Sequence, residues 1–250
     1  MKNLILFLLL TFSISASAQD LLTQDSIVIH LKSGNGLTAI VVRKKDQAVP
    51  LPAIVRYSIY TSTAVYKGMN SVAALKGYVG VTIYVRGKYL SPQDVKPFSH
   101  DAEDAWEMID WVSKQSWCNG KVGMYGASYL GFSQWAAVKK LHPALKTIVP
   151  QSAVGIGIDF PMHNNINMGY GLQWLHYVTN NKNIDLEDFT NNKHWYSVYN
   201  KLYTSGIAFD KLDSLEGRPN ALFQEWTRHP AYDDYWKQMT PTGEDYARLN

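Results

Sequence analysis

The sequence predicts an α/β protein built on a mostly parallel sheet, on three observations. Apolar, β-branched runs alternate with segments of helical spacing through residues 50–153, the pattern of parallel strands joined by crossover helices. An antiparallel hairpin comes before them, because "DSIVIHL" and "LTAIVVRK" flank the turn-like "KSGNG". After about Val154 the strands disappear, and a stretch rich in aromatic residues and Asn reads as a separate helical unit.

The elements follow in order. "MKNLILFLLLTFSISASAQ" joins Lys2 to an apolar run from Leu4 to Ile14, then Ala16, Ser17 and Ala18 before Gln19. That is the pattern of a secretory signal peptide over residues 1–18, with cleavage after Ala18 and a periplasmic or secreted mature chain. An uncleaved anchor is the alternative, but the run is short for a spanning helix, and no stable membrane insertion is expected after cleavage. Past the hairpin, "LPAIVRYSI" and "YVGVTIYVRG" read as strands around a helix in "YKGMNSVAALKG". Residues 102–116 place Ala102, Ala105, Trp106, Ile109 and Val112 at helical spacing, and Asp101 is placed to cap them. "KVGMYG" is the next strand, a helix runs from about Tyr129 to Lys140, and "LKTIVPQSA" is another strand. Pro219 falls in a loop inside the later helical unit, residues 154–250.

Composition narrows the classes. A chain of 250 residues with 46% apolar content supports a sizeable core. Its 24 basic and 21 acidic residues give +3, or 23 against 21 without Lys2, and lysines spread along the chain make no case for nucleic acid. Cys118 is the single cysteine, so no internal disulfide forms. It reads as a small packing residue beside a turn, with a thiol nucleophile as the weaker alternative.

"GKVGMYGASYLGFSQW", residues 120–135, carries the chemistry. A strand meets Gly126, turns at Ser128 and continues as a helix, which is how a nucleophile elbow exposes a hydroxyl. The helix N-terminus then favours developing negative charge. In G-x-S-x-G the second glycine stands at position 130; here Leu130 holds it and Gly131 comes one place later. An ordinary helix N-cap also suits Ser.

The segment resembles the elbow of α/β-hydrolases in the family of cocaine-esterase-like and α-amino-acid ester hydrolases, related to X-Pro dipeptidyl-peptidases, in which the displaced glycine is normal. "DAEDAWEMIDWVSKQSWCNGKVGMYG", "YVRG", "HPALKTIVPQSA" and "HPAYDDYW" are similar as well. The resemblance implies an oxyanion hole made by the Tyr129 backbone N–H and a tyrosine hydroxyl from "RYSIYTS", Tyr60 with Tyr57 as fallback. Arg86 is expected to pair with Asp101 or Asp104 beneath the site, and Glu103 and Asp104 otherwise read as a solvated helix start.

A triad needs an acid and a histidine later in the chain. His142, His163, His176, His194 and His229 follow no convincing strand, and each reads as a surface or packing residue. The resemblance implies that residues 154–250 are a helical cap inserted in the fold and the lead-in to its second half. It also implies that the catalytic Asp and His, with further strands and a β-rich domain, belong beyond Asn250. The chain is therefore expected to be a fragment, nearly inert alone, of a hydrolase acting on small acyl esters, amides or peptides. No metal or organic cofactor is expected, since no H-E-x-x-H or Cys-based spacing occurs. Trp174 and Trp195 are candidates to line an acyl pocket, although helix packing accounts for them equally. Only Asp159 is acidic in "GIGIDFPMHNN", which weakens any expectation of α-amino specificity. A dipeptidyl-peptidase and a non-catalytic binding protein of the same fold are the alternatives.

Overall fold

The computed structural model describes residues 20–249; the expected signal peptide lies outside them. Strands β1 (Leu21–His30) and β2 (Gly36–Lys44) form the antiparallel hairpin. β3 (Leu51–Ser58) leads through α1 (Thr63–Leu75) to β4 (Val79–Tyr84). Next come α2 (Asp101–Ser113), β5 (Cys118–Ala127), α3 (Tyr129–Lys139) and β6 (Leu145–Gln151). They build one six-stranded sheet in the order β1-β2-β4-β3-β5-β6. β4, β3, β5 and β6 are parallel neighbours, and β2 joins β4 antiparallel.

Burial follows from the crossovers. β4 is buried at every position of VGVTIY, so its sequence carries no polar alternation. Among the polar groups buried with the sheet are Arg56 and Thr82, and Asn70 of α1 answers both. Arg56 Nη1 donates to Asn70 Oδ1 at 2.8 Å, and Asn70 Nδ2 donates to Thr82 Oγ1 at 3.1 Å. Because a buried polar group left unpaired is costly, Asn70 fixes α1 in one place on the sheet. Cys118 is buried at the start of β5 and packs in the main core, where burial pushes its thiol pKa up.

Two expectations at α2 are corrected. Asp101 does not cap the helix; His100 holds that position, and Asp101 turns its carboxyl into the interior. Asp104 is 1% exposed rather than solvated, because its partners lie inside. Glu103 alone of the two stays at the surface, 2.9 Å from Lys140.

Nor do strands end at β6. Met162–His163 (β7) and Ile166–Asn167 (β8) pair as a short ribbon, turned by Asn164 and Asn165 at φ of 51° and 63°. Asn tolerates that left-handed region, but an Asn-Asn pair lacks the glycine that makes hairpins easy to recognise. Among the described residues, seven α-helices follow, with one 3-10 turn at Phe209–Lys211: α4 (Tyr170–Thr179), α5 (Leu186–Phe189), α6 (Asn192–Ser205), α7 (Leu212–Glu216), α8 (Ala221–Thr227), α9 (Asp234–Lys237) and α10 (Gly243–Ala247). Part of the Asn content is now explained, since Asn191 and Asn220 cap α6 and α8 through their side chains. Inside this unit Trp174, Trp195, Trp226 and Trp236 are buried.

Candidate active site

Ser128 stands between β5 and α3 with φ 60° and ψ −121°, a conformation a non-glycine residue holds only when its surroundings impose it. Gly126 shows part of that imposition: a Cβ there would lie 2.6 Å from the Leu130 Cβ. Gly131 explains the late glycine of the motif. One turn into α3 it meets the backbone after β6, where a Cβ would come 2.8 Å from Ala153 Cα.

Hydrogen bonds hold the corner. Ser128 N–H donates to the Gln151 carbonyl at 3.0 Å, and the Ser128 carbonyl accepts from Gly131 and Phe132 N–H at 2.9 and 3.0 Å. The Tyr129 N–H, in the open first turn of α3, takes no partner among the described residues.

Tyr60 also reaches this corner. Tyr60 follows β3, and its hydroxyl lies 3.1 Å from Ser128 Oγ. Ser58 Oγ accepts from the Tyr60 N–H at 3.0 Å and lies 2.9 Å from the Tyr66 hydroxyl, so the end of β3 fixes the backbone of Tyr60. Tyr57, the fallback, is buried elsewhere and donates to Asp104 Oδ2 at 3.0 Å. The end of the strand separates the two: Tyr57 is within β3, whereas Tyr60 has left it.

Beneath the corner lies a polar layer. Arg86 grips Asp104 with Nε and Nη2 at 2.8 and 2.5 Å, settling which carboxylate it pairs with. Tyr129 Oη donates to Asp101 Oδ2 at 2.9 Å and accepts from the Phe98 N–H at 3.3 Å. Burial pushes the Asp101 pKa up to about 8, which shifts this carboxyl toward its protonated form.

Beside Ser128 is a pocket of about 40 Å³ walled by Phe98, Val154, Phe160, Tyr170, Trp174 and the Tyr129 ring, none of them charged. Trp174 stacks with Phe98 and Tyr129 at centroid distances of 5.5 and 6.2 Å. Its indole Nε1–H also donates to the Tyr60 hydroxyl at 3.3 Å, a polar contact the sequence did not signal. Trp195 is buried elsewhere, between His176, His194 and Tyr199. Asp159 lines a neighbouring cavity, where its Oδ1 accepts from the Gly155 N–H at 2.7 Å.

The structure brings no histidine of the described residues within hydrogen-bonding distance of Ser128 Oγ. His142 is buried against Trp106 and Asp110, and His176 and His194 face Glu216. His229 bonds Asp233 at 2.7 Å and stacks on Tyr235, and His163 is exposed.

Sheet order, strained elbow and the helical unit following β6 together define an α/β-hydrolase fold. Within that class the chain belongs to the X-Pro dipeptidyl-peptidase (S15) family, whose model matches residues 33–249. The cocaine esterase of Rhodococcus sp. (strain MB1 Bresler) is 30% identical over 134 residues, covering 52% of this chain and 23% of the esterase. Among solved structures, an α-amino acid ester hydrolase superposes with a TM-score of 0.67 at 23% identity, over 92% of this chain and 41% of that one. A CocE/NonD family hydrolase from Staphylococcus aureus gives 0.64 at 21% identity, over 88% and 38%. The chain thus spans less than half the length of each of these relatives.

Proposed function

We propose that this protein is an exported serine hydrolase that cleaves ester or amide bonds through an acyl-enzyme on Ser128. The observation that carries the reading is the convergence on one strained corner of the Ser128 hydroxyl, a Tyr129 N–H without a partner among the described residues, and the Tyr60 hydroxyl. In this mechanism Ser128 Oγ attacks the carbonyl carbon as a base removes its proton, and the carbonyl oxygen becomes an oxyanion. Tyr129 N–H and Tyr60 O–H donate to it as its charge develops, each contributing about 3 kcal/mol to lowering the barrier. The tetrahedral centre collapses to an ester on Ser128 and expels the protonated leaving group. Water, deprotonated by the same base, then releases the acid.

Ser128 has no imidazole neighbour among the described residues, so the reading assigns the base and its orienting acid to other parts of the natural protein. The 250-residue chain by itself is then a slow catalyst. An uncharged aromatic pocket suits an apolar acyl group, and Asp159 outside it gives no support to α-amino recognition. Membership of the S15 family favours a second reading, dipeptide release from X-Pro amides. Export rests on residues 1–18 and predicts a mature N-terminus at Gln19.

The test is a fluorophosphonate probe on the natural full-length protein, followed by assays on small acyl esters and X-Pro amides. Labelling that disappears in Ser128→Ala supports the reading, and the faster substrate class decides between esterase and peptidase. An unlabelled, folded wild-type protein would leave only a binding role for this fold.

A further inference from the structure

We propose that Trp174 is a positioning residue of the oxyanion hole: its indole N–H orients the Tyr60 hydroxyl so that the phenolic hydrogen faces Ser128. The proposal rests on the serine-hydrolase reading and goes beyond it by giving a residue of the helical unit a part in the chemical step.

The Tyr60 oxygen has two polar neighbours, Ser128 Oγ at 3.1 Å and Trp174 Nε1 at 3.3 Å. An indole nitrogen only donates, so the direction of the second contact is fixed. The phenol has a single hydrogen, and among the described residues Ser128 Oγ is the one acceptor within its reach. Accepting from the indole also polarises the phenol O–H and makes it a stronger donor. Trp174 itself cannot swing away, because it is 4% exposed and stacked with Phe98, Tyr129 and Trp226. Tyr177, one turn later on α4, lies over the Tyr60 ring at a centroid distance of 5.8 Å. One helix thus fixes both the ring and the oxygen of Tyr60, and the oxyanion hole is complete only when α4 is docked.

A residue that merely walls the pocket and one that orients a donor differ in what their loss does. Trp174→Phe keeps an aromatic ring in the stack and deletes the N–H. In the natural full-length protein, positioning predicts a fall in kcat of about tenfold with KM nearly unchanged, the size of one hydrogen bond. A wall residue would instead raise KM with kcat retained. In a Tyr60→Phe background, Trp174→Phe should change kcat by less than twofold, because the group it orients is already gone. A contact measurement stands apart from catalysis. The Trp174 indole N–H resonance, assigned by its loss in Trp174→Phe, should move upfield in Tyr60→Phe while the other indole signals stay in place. An unmoved resonance, or additive effects of the two substitutions on kcat, would overturn the proposal. If the resonance moves but no probe labels Ser128, the contact stands and the hydrolase reading is what fails.

Discussion

At the scale of single residues, Asp101 shows what burial does to an ordinary side chain. A carboxylate at a helix start is equally consistent with a cap, but this one lies inside. Its burial against Tyr129 has a measurable consequence. The folded pKa of about 8 lies well above the ordinary carboxylate value of 3.8, so the native state holds a proton that the unfolded chain releases between those pH values. The stability this contributes is full below about pH 4 and is lost as pH rises through about 8. Asp101→Asn removes that loss, so the fall in denaturation free energy from pH 5 to pH 8.5 should be at least about 1 kcal/mol smaller in the variant. Parallel pH profiles for the two proteins would mean that Asp101 is ionised in the fold.

The element that matters most is the turn from β5 into α3. Its glycine spacing looks irregular in sequence, and the place of Gly131 is set by the backbone that leaves β6 at Gln151 and Ala153. Gly131→Val would drive side-chain atoms into the backbone at Gln151 and Ala153, which cannot yield as a flexible side chain would. The expected cost is about 2 kcal/mol, with Ser128 displaced and probe labelling lost. Urea unfolding and labelling together check it; a stable variant that still labels would show that α3 tolerates displacement here. The β7–β8 ribbon makes the opposite point. Two-residue strands carry no periodicity, so only their pairing identifies them.

For the whole molecule, the question is what keeps the helical unit on the sheet. Lys88, fully buried in the loop after β4, supplies one answer. Its Nζ donates to the carbonyls of Val178, Asn181 and Asn183 at 2.8, 2.7 and 3.0 Å, closing the end of α4 onto the core. Burial pulls its pKa down to about 8. In Lys88→Met those carbonyls lose their donor, so amide exchange across residues 178–183 should quicken at least tenfold while β3, β4 and β5 keep their protection. Equal acceleration in the sheet would mean that the helical unit and the core open together. Because α4 also carries Trp174 and Tyr177, loosening it is expected to reach the Tyr60 hydroxyl.

The alternation of strands and helices, the hairpin and the serine corner can be read along the chain. Those depend on hydrophobic period, turn chemistry and short spacings, all of which operate over a few neighbouring residues. Tertiary structure alone decided that Asp104 takes Arg86, that Asp101 takes Tyr129, that Gly131 makes room for Ala153, and that Trp174 reaches Tyr60. Each of these contacts joins separate elements, and the pair Trp174–Tyr60 lies 114 positions apart in the chain. A carboxylate or an indole has many candidate partners along a sequence, and only packing in three dimensions selects among them.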